Sequence, residues 1–104
     1  MGNMREMMKA AQKMQERMVK MQEELAERTV EASAGGGMVK AVVTGGKMIK
    51  ELVINPDAID PSDVEMLQDL IIVAVNEAIR KSDEMVNSEM GKLTSGLKLP
   101  PGMF

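Results

Sequence analysis

From the N-terminus the apolar residues fall at Met4, Met7, Ala11, Met14, Met18, Met21 and Leu25, spaced alternately by three and four. That spacing keeps one stripe along a single helix face and forms a heptad seam three repeats long. Neither Gly nor Pro interrupts residues 3 to 28, so the pattern predicts one helix over about 3–28, roughly 37 Å long. At Thr29 the period drops to two: Val30, Ala32 and Ala34 alternate with Glu31 and Ser33, which predicts a strand over 29–34. Gly35-Gly36-Gly37 ends it. Two further strands, 38–44 and 47–54, flank Gly45-Gly46, a dipeptide suited to a two-residue hairpin turn. Such a turn sets Lys40 opposite Glu51 and Val39 beside Leu52.

The hairpin is apolar on both faces. Val39, Ala41, Val43, Met48 and Leu52 share one, and Met38, Val42, Ile49 and Val53 the other. A sheet of this kind needs cover on both sides, and one helix of its own chain covers only one. These nine residues are therefore the expected packing and dimer surface. Asp60-Pro61 reads as an N-cap followed by proline at the first helical position, opening a second long helix over about 61–91. Its core face carries Val64, Leu67, Ile71, Ala74, Val75 and Ala78. Residues 96–104 read as an extended tail. The chain is expected to form one α+β domain over 1–104, ordered α-β-β-β-α, with a three-stranded antiparallel sheet and two long helices. The first helix is too long for the rest of so small a domain to cover, and is expected to project from an intimate homodimer.

Composition sharpens this picture. A domain of 104 residues has a marginal core, and this one has no Trp, no Tyr and a single Phe, so oligomerisation is the expected remedy. The chain has no Cys and no His, which removes disulfides, thiol chemistry and the commonest general bases and zinc ligands. An enzymatic role, a cofactor and a metal are therefore not expected. The start of the chain lacks an export or anchoring signal, and a cytoplasmic protein away from membranes is expected.

The net charge of −3 conceals a polarised distribution. Residues 1–20 carry five basic and two acidic side chains, a sum of +3, whereas residues 57–79 carry six acids and no base. At 100° per residue, Arg5, Lys9, Lys13, Arg17 and Lys20 fall in a 120° sector roughly opposite the apolar seam. A one-sidedly basic helix can follow a phosphate backbone by charge without reading bases. A plain solvated face is the competing reading, and Glu6, Glu16, Glu23, Glu24 and Glu27 limit the positive surface to the first five turns. Arg80, Lys81 and Lys92 are further candidates if the fold brings them near. The methionines suit a packing seam that also tolerates varied partners. Gly45-Gly46-Lys47 lacks the remaining features of a phosphate loop, and the acids from Asp57 to Asp69 suit capping better than cation binding.

Several stretches resemble the YbaB/EbfC family of bacterial nucleoid-associated proteins: Met21-Gln22-Glu23-Glu24-Leu25, Gly35-Gly36-Gly37-Met38-Val39-Lys40, Ile54-Asn55-Pro56 and, most strongly, Glu65-Met66-Leu67-Gln68-Asp69-Leu70-Ile71. Ala74, Asn76-Glu77-Ala78, Glu89-Met90 and the tail Leu99-Pro100-Pro101-Gly102 extend the match over nearly the whole chain. The first helix is richer in Met than is usual for the family, and Met48 stands where relatives often carry a polar or glycine turn residue. The resemblance implies a tight homodimer built around the sheets, first helices projecting as arms, and binding of duplex DNA in the nucleoid with weak sequence preference. The combined expectation is a DNA-coating dimer. The alternative is a scaffold that receives a protein partner's helix on the seam of the first helix.

Overall fold

The computed structural model describes residues 2–95, and the tail expected over 96–104 lies outside them. Helix α1 spans Gly2–Glu27, strands β1, β2 and β3 span Thr29–Ala34, Val39–Thr44 and Ile49–Ile54, and helix α2 spans Val64–Ser95. The sheet is antiparallel with strand order β1-β2-β3, which is the α-β-β-β-α architecture expected from the sequence.

A run of small side chains determines how the helix meets the sheet. Ala74, Ala78 and Ser82 recur every fourth residue of α2 and are fully buried, facing Ala32 and Ala34 of β1 and Val39, Ala41 and Val43 of β2. Because these residues carry little bulk, α2 can lie close against the strands. Ser82 needs a partner in so apolar a setting, and its hydroxyl donates to the Thr44 carbonyl at 2.8 Å. Leu67, Leu70, Ile71, Val75 and Ile79 close the margins of this core.

The hairpin departs from the sequence reading in a way the structure explains. Gly45 and Gly46 do not form a two-residue turn. Their amides donate instead to the carbonyls of Arg28 at 2.8 Å and Ala26 at 3.3 Å, at the end of α1. A Cβ on Gly45 would stand 1.9 Å from the Leu25 carbonyl oxygen, so glycine is required there for close approach. The chain reverses over residues 45–48, with Lys47 at a φ of 65° and the Met48 carbonyl accepting from Thr44 N at 2.8 Å. The longer loop moves the register: Lys40 pairs with Val53 and Val42 with Glu51, with a bulge between Val42 and Val43. Lys40 forms its ion pair with Glu31 of β1 at 3.8 Å.

The expected two faces are corrected accordingly. Val39, Ala41 and Val43 are buried under α2 of their own protomer. Ile49 now pairs with Val43, and Leu52 with Ala41, which puts both on this same face. Both stay exposed, because α2 packs mainly on β1 and β2 and, of β3, only Ile54 at its end packs against the core among the described residues. Val42 and Val53 take the opposite face, Met38 is half-buried ahead of β2, and Met48 is exposed in the loop.

The start of α2 also moves. Asn55 caps a single 3-10 turn, Pro56–Ala58, by accepting from Asp57 N. Asp60 then closes a turn onto Ser62 N at 2.9 Å, and Asp63 accepts from Met66 N at 3.2 Å. Asp63 is thus the N-cap, and the helix begins three residues later than Asp60-Pro61 suggested.

Candidate nucleic-acid interface

Among the described residues, α1 is anchored at its C-terminal end. Leu25 is 2% exposed, Arg28 pairs with Glu89 of α2 at 3.7 Å, and the glycine amides hold the carbonyls of Ala26 and of Arg28 just past the helix. Further out, Leu93 of α2 faces Arg17, Lys20, Met21 and Glu24 across a shallow groove. The earlier turns of α1 extend beyond the body. The Cα radius of gyration is accordingly 20.3 Å and the long dimension 76 Å, against a radius of about 13 Å for a compact chain of this length.

The sequence-predicted basic residues divide into two groups on this frame. Arg5, Lys9, Lys13, Arg17 and Lys20 are exposed along α1, and none has an ion pair or side-chain hydrogen bond among the described residues. No described acidic group offsets their charge. The α2 cations are occupied. Arg80 lies between Glu77 and Glu84, Lys81 donates to the Glu31 carbonyl at 3.1 Å, and Lys92 meets Glu89 at 3.4 Å. Hydrogen bonding and charge from Glu77, then Glu84, raise the Arg80 pKa above its ordinary value, and the Arg80 hydrogen bond holds Glu77 below the usual range. Asp60 is lowered by the Ser62 hydroxyl and amide. Of the α2 group, Lys92 alone neighbours a residue, Leu93, that the fold brings to Arg17 and Lys20.

Other candidate chemistry resolves into structure. Lys47 of the Gly-Gly-Lys sequence pairs with Asp83 at 2.9 Å, and among the described residues no cluster of three acidic side chains could hold a metal ion. No described helix is long and apolar enough to cross a membrane. What sequence reasoning missed is the anchor itself. The glycine pair was visible, but its closeness to the Leu25 carbonyl is a tertiary fact.

On the opposite side from the basic face, the N-terminal part of the α1 seam is open: Met4 is 75% exposed, Met7 70% and Met8 65%. Fold and surface together define a small α+β protein that presents one anchored, projecting helix, basic on one side and apolar on the other. The chain matches the YbaB/EbfC DNA-binding family over residues 1–97 and belongs to that family. It is 61% identical over 103 residues to a nucleoid-associated protein of Acetivibrio thermocellus, covering 99% of this chain and 91% of that one. It is 62% identical to one of Desulforamulus reducens (99% and 97% covered) and 56% identical to one of Bacillus thuringiensis (100% and 95%). The crystal structure of an uncharacterized Helicobacter pylori protein has the same fold, with a TM-score of 0.71 at 18% identity, covering 85% of this chain and 92% of that one.

Proposed function

We propose that this protein is a non-enzymatic, nucleoid-associated homodimer that coats duplex DNA with little sequence preference. The phosphate contacts come from Arg5, Lys9, Lys13, Arg17 and Lys20 of each copy. The observation that carries this reading is the absence, among the described residues, of any acidic partner for those five cations, of which Arg5, Lys9 and Lys13 lie on the turns that extend beyond the body. Cations that give up no internal ion pair on binding contribute their whole charge to phosphate neutralisation and counterion release. Arg80 and Lys81 would first have to leave existing partners, so they are secondary contacts, and Lys92 adds to the patch from the end of α2.

The homodimer rests on apolar surface that the protomer leaves open. Ile49, Leu52 and Val53 on β3 and Ile59, Ile72 and Val73 around the first half of α2 are all exposed, and a second copy burying them would complete a core that one chain leaves partial. Organisation of the nucleoid, with effects on gene expression or DNA repair, is the cellular role this binding mode suits. The exposed methionine seam favours a second reading, a scaffold that captures a partner helix.

Titration into several unrelated duplexes at two salt concentrations tests the proposal. Similar affinity for all duplexes is expected, with a log–log salt slope of up to about −9 if two copies neutralise ten phosphates. A variant with the five residues changed to Gln should stay folded and dimeric and lose binding. Strong preference for one duplex, or unchanged binding by the Gln variant, would refute it.

A further inference from the structure

The seam of α1 has two halves with different fates. Near the body, Leu25 is buried and Met21 half-buried, so the seam already works there as a packing surface. The same heptad stripe runs on into the free half as Met4, Met7 and Ala11, widened by Met8, and nothing in the described protomer covers it.

The charge pattern indicates what does. In the heptad frame Met4, Ala11 and Met18 are a positions and Met7 and Met14 are d positions. The residues flanking them in the first two heptads, Asn3, Met8, Ala10 and Gln15, are uncharged. Arg5, Glu6, Lys9, Lys13 and Glu16 all occupy the b, c and f positions, away from the seam. Two copies of this segment can therefore meet seam to seam with no like charges at the contact, the condition that self-pairing of helices requires. The open apolar residues of the sheet and of the first half of α2 lie apart from the arm tip, so a contact that closes them leaves the tip available to another dimer.

The contact is small. Four side chains per copy fall far short of the roughly 20–30 residues that each partner contributes to a stable interface. The first twenty residues of each copy also carry +3, which opposes approach in free solution. Both obstacles diminish on a polyanion, which neutralises the charge and holds neighbours at high effective concentration.

We infer that the Met4, Met7, Met8 and Ala11 face pairs with the same face of a neighbouring dimer bound to the same DNA, so that the protein loads cooperatively. This rests on the DNA-binding reading above. The test compares a duplex of about 20 base pairs, close to the 76 Å length of one protomer, with one of about 200. Wild type should bind the long duplex cooperatively and up to about 10²-fold more tightly per site than the short one. Met4→Gln/Met7→Gln/Met8→Gln, which keeps every charge and a good helix former, should bind the short duplex like wild type and lose the cooperativity. The corresponding triple Leu variant should retain it.

Equal cooperativity in the Gln variant would overturn the inference while leaving DNA binding intact. Wild type that binds neither duplex would overturn the DNA-binding reading and the inference with it. Wild-type binding to phosphatidylglycerol vesicles that the Gln variant loses, with duplex cooperativity unchanged, would assign the face to a lipid surface and overturn the pairing.

Discussion

Gly45→Ala is the sharpest perturbation available to this fold. The new methyl carbon would lie 1.9 Å from the Leu25 carbonyl oxygen and 2.8 Å from its carbon. Restoring ordinary contact near 3.4 Å requires α1 and the hairpin to separate by about 1.5 Å, and because both atoms are backbone, no side-chain rotation can relieve it. The movement stretches the hydrogen bonds from Gly45 N to the Arg28 carbonyl and from Gly46 N to the Ala26 carbonyl, each worth about 1 kcal/mol. It also partly uncovers Leu25, whose burial contributes roughly 1.5–3 kcal/mol. The expected loss is about 3–5 kcal/mol, a large share of the roughly 5–15 kcal/mol typical of a whole domain. Urea denaturation at fixed protein concentration measures it, because a dimer's stability varies with concentration. Gly91→Ala, with nothing within 4 Å, is the control, and should gain about 0.5–1 kcal/mol by removing a helical glycine. A Gly45→Ala loss below about 0.5 kcal/mol, within the ordinary range of surface substitutions, would refute the tight approach and the anchoring role built on it.

Ala78→Leu should destabilise by about 1–3 kcal/mol in the same denaturation assay, since Ala78 is fully buried where α2 meets the sheet and the added bulk must be accommodated there. Lys9→Gln should lower the magnitude of the DNA-binding salt slope by about 0.9 per site neutralised, whereas Arg80→Gln, removing a cation already held by Glu77 and Glu84, should change it much less. Glu77 has its folded pKa depressed by Arg80, so its contribution is present above the unfolded value and lost as pH falls below about 4.5. Glu77→Gln should therefore flatten the acid-side decline in denaturation midpoint, and an unchanged pH profile would count against the pairing.

The elements with strong periodicity were legible in the sequence. The alternation in β1 and the apolar face of α2 bury into one core, and the α1 seam keeps one helix face from the buried Leu25 out to the open Met4, so their spacing carries the information. The hairpin register was not legible, because Gly45-Gly46 is equally suited to a tight turn and to close packing, and only the approach of α1 distinguishes them. Asp60-Pro61 misplaced the start of α2 for a similar reason: Asp60 is a good cap, but the turn onto Ser62 engages it and Asp63 caps the helix instead. At the site, the five α1 cations could be assigned to one face by angle alone. Their freedom from partners, and the capture of Arg80 and Lys81 by Glu77, Glu84 and the Glu31 carbonyl, depends on which side chains meet in space.

Because, among the described residues, it is the last turns of α1 that are fastened, the rest of the helix can change length without disturbing the core. Inserting or deleting one heptad there moves the tip by about 10.5 Å while nearly preserving which residues face which way, and that step equals about three base pairs of duplex. A change of three or four residues alters reach by about half as much and rotates the tip relative to the anchor. The arm thus behaves as a gauge graduated in heptads, and relatives could alter the spacing of copies along DNA through its length alone, with the sheet and α2 left as they are.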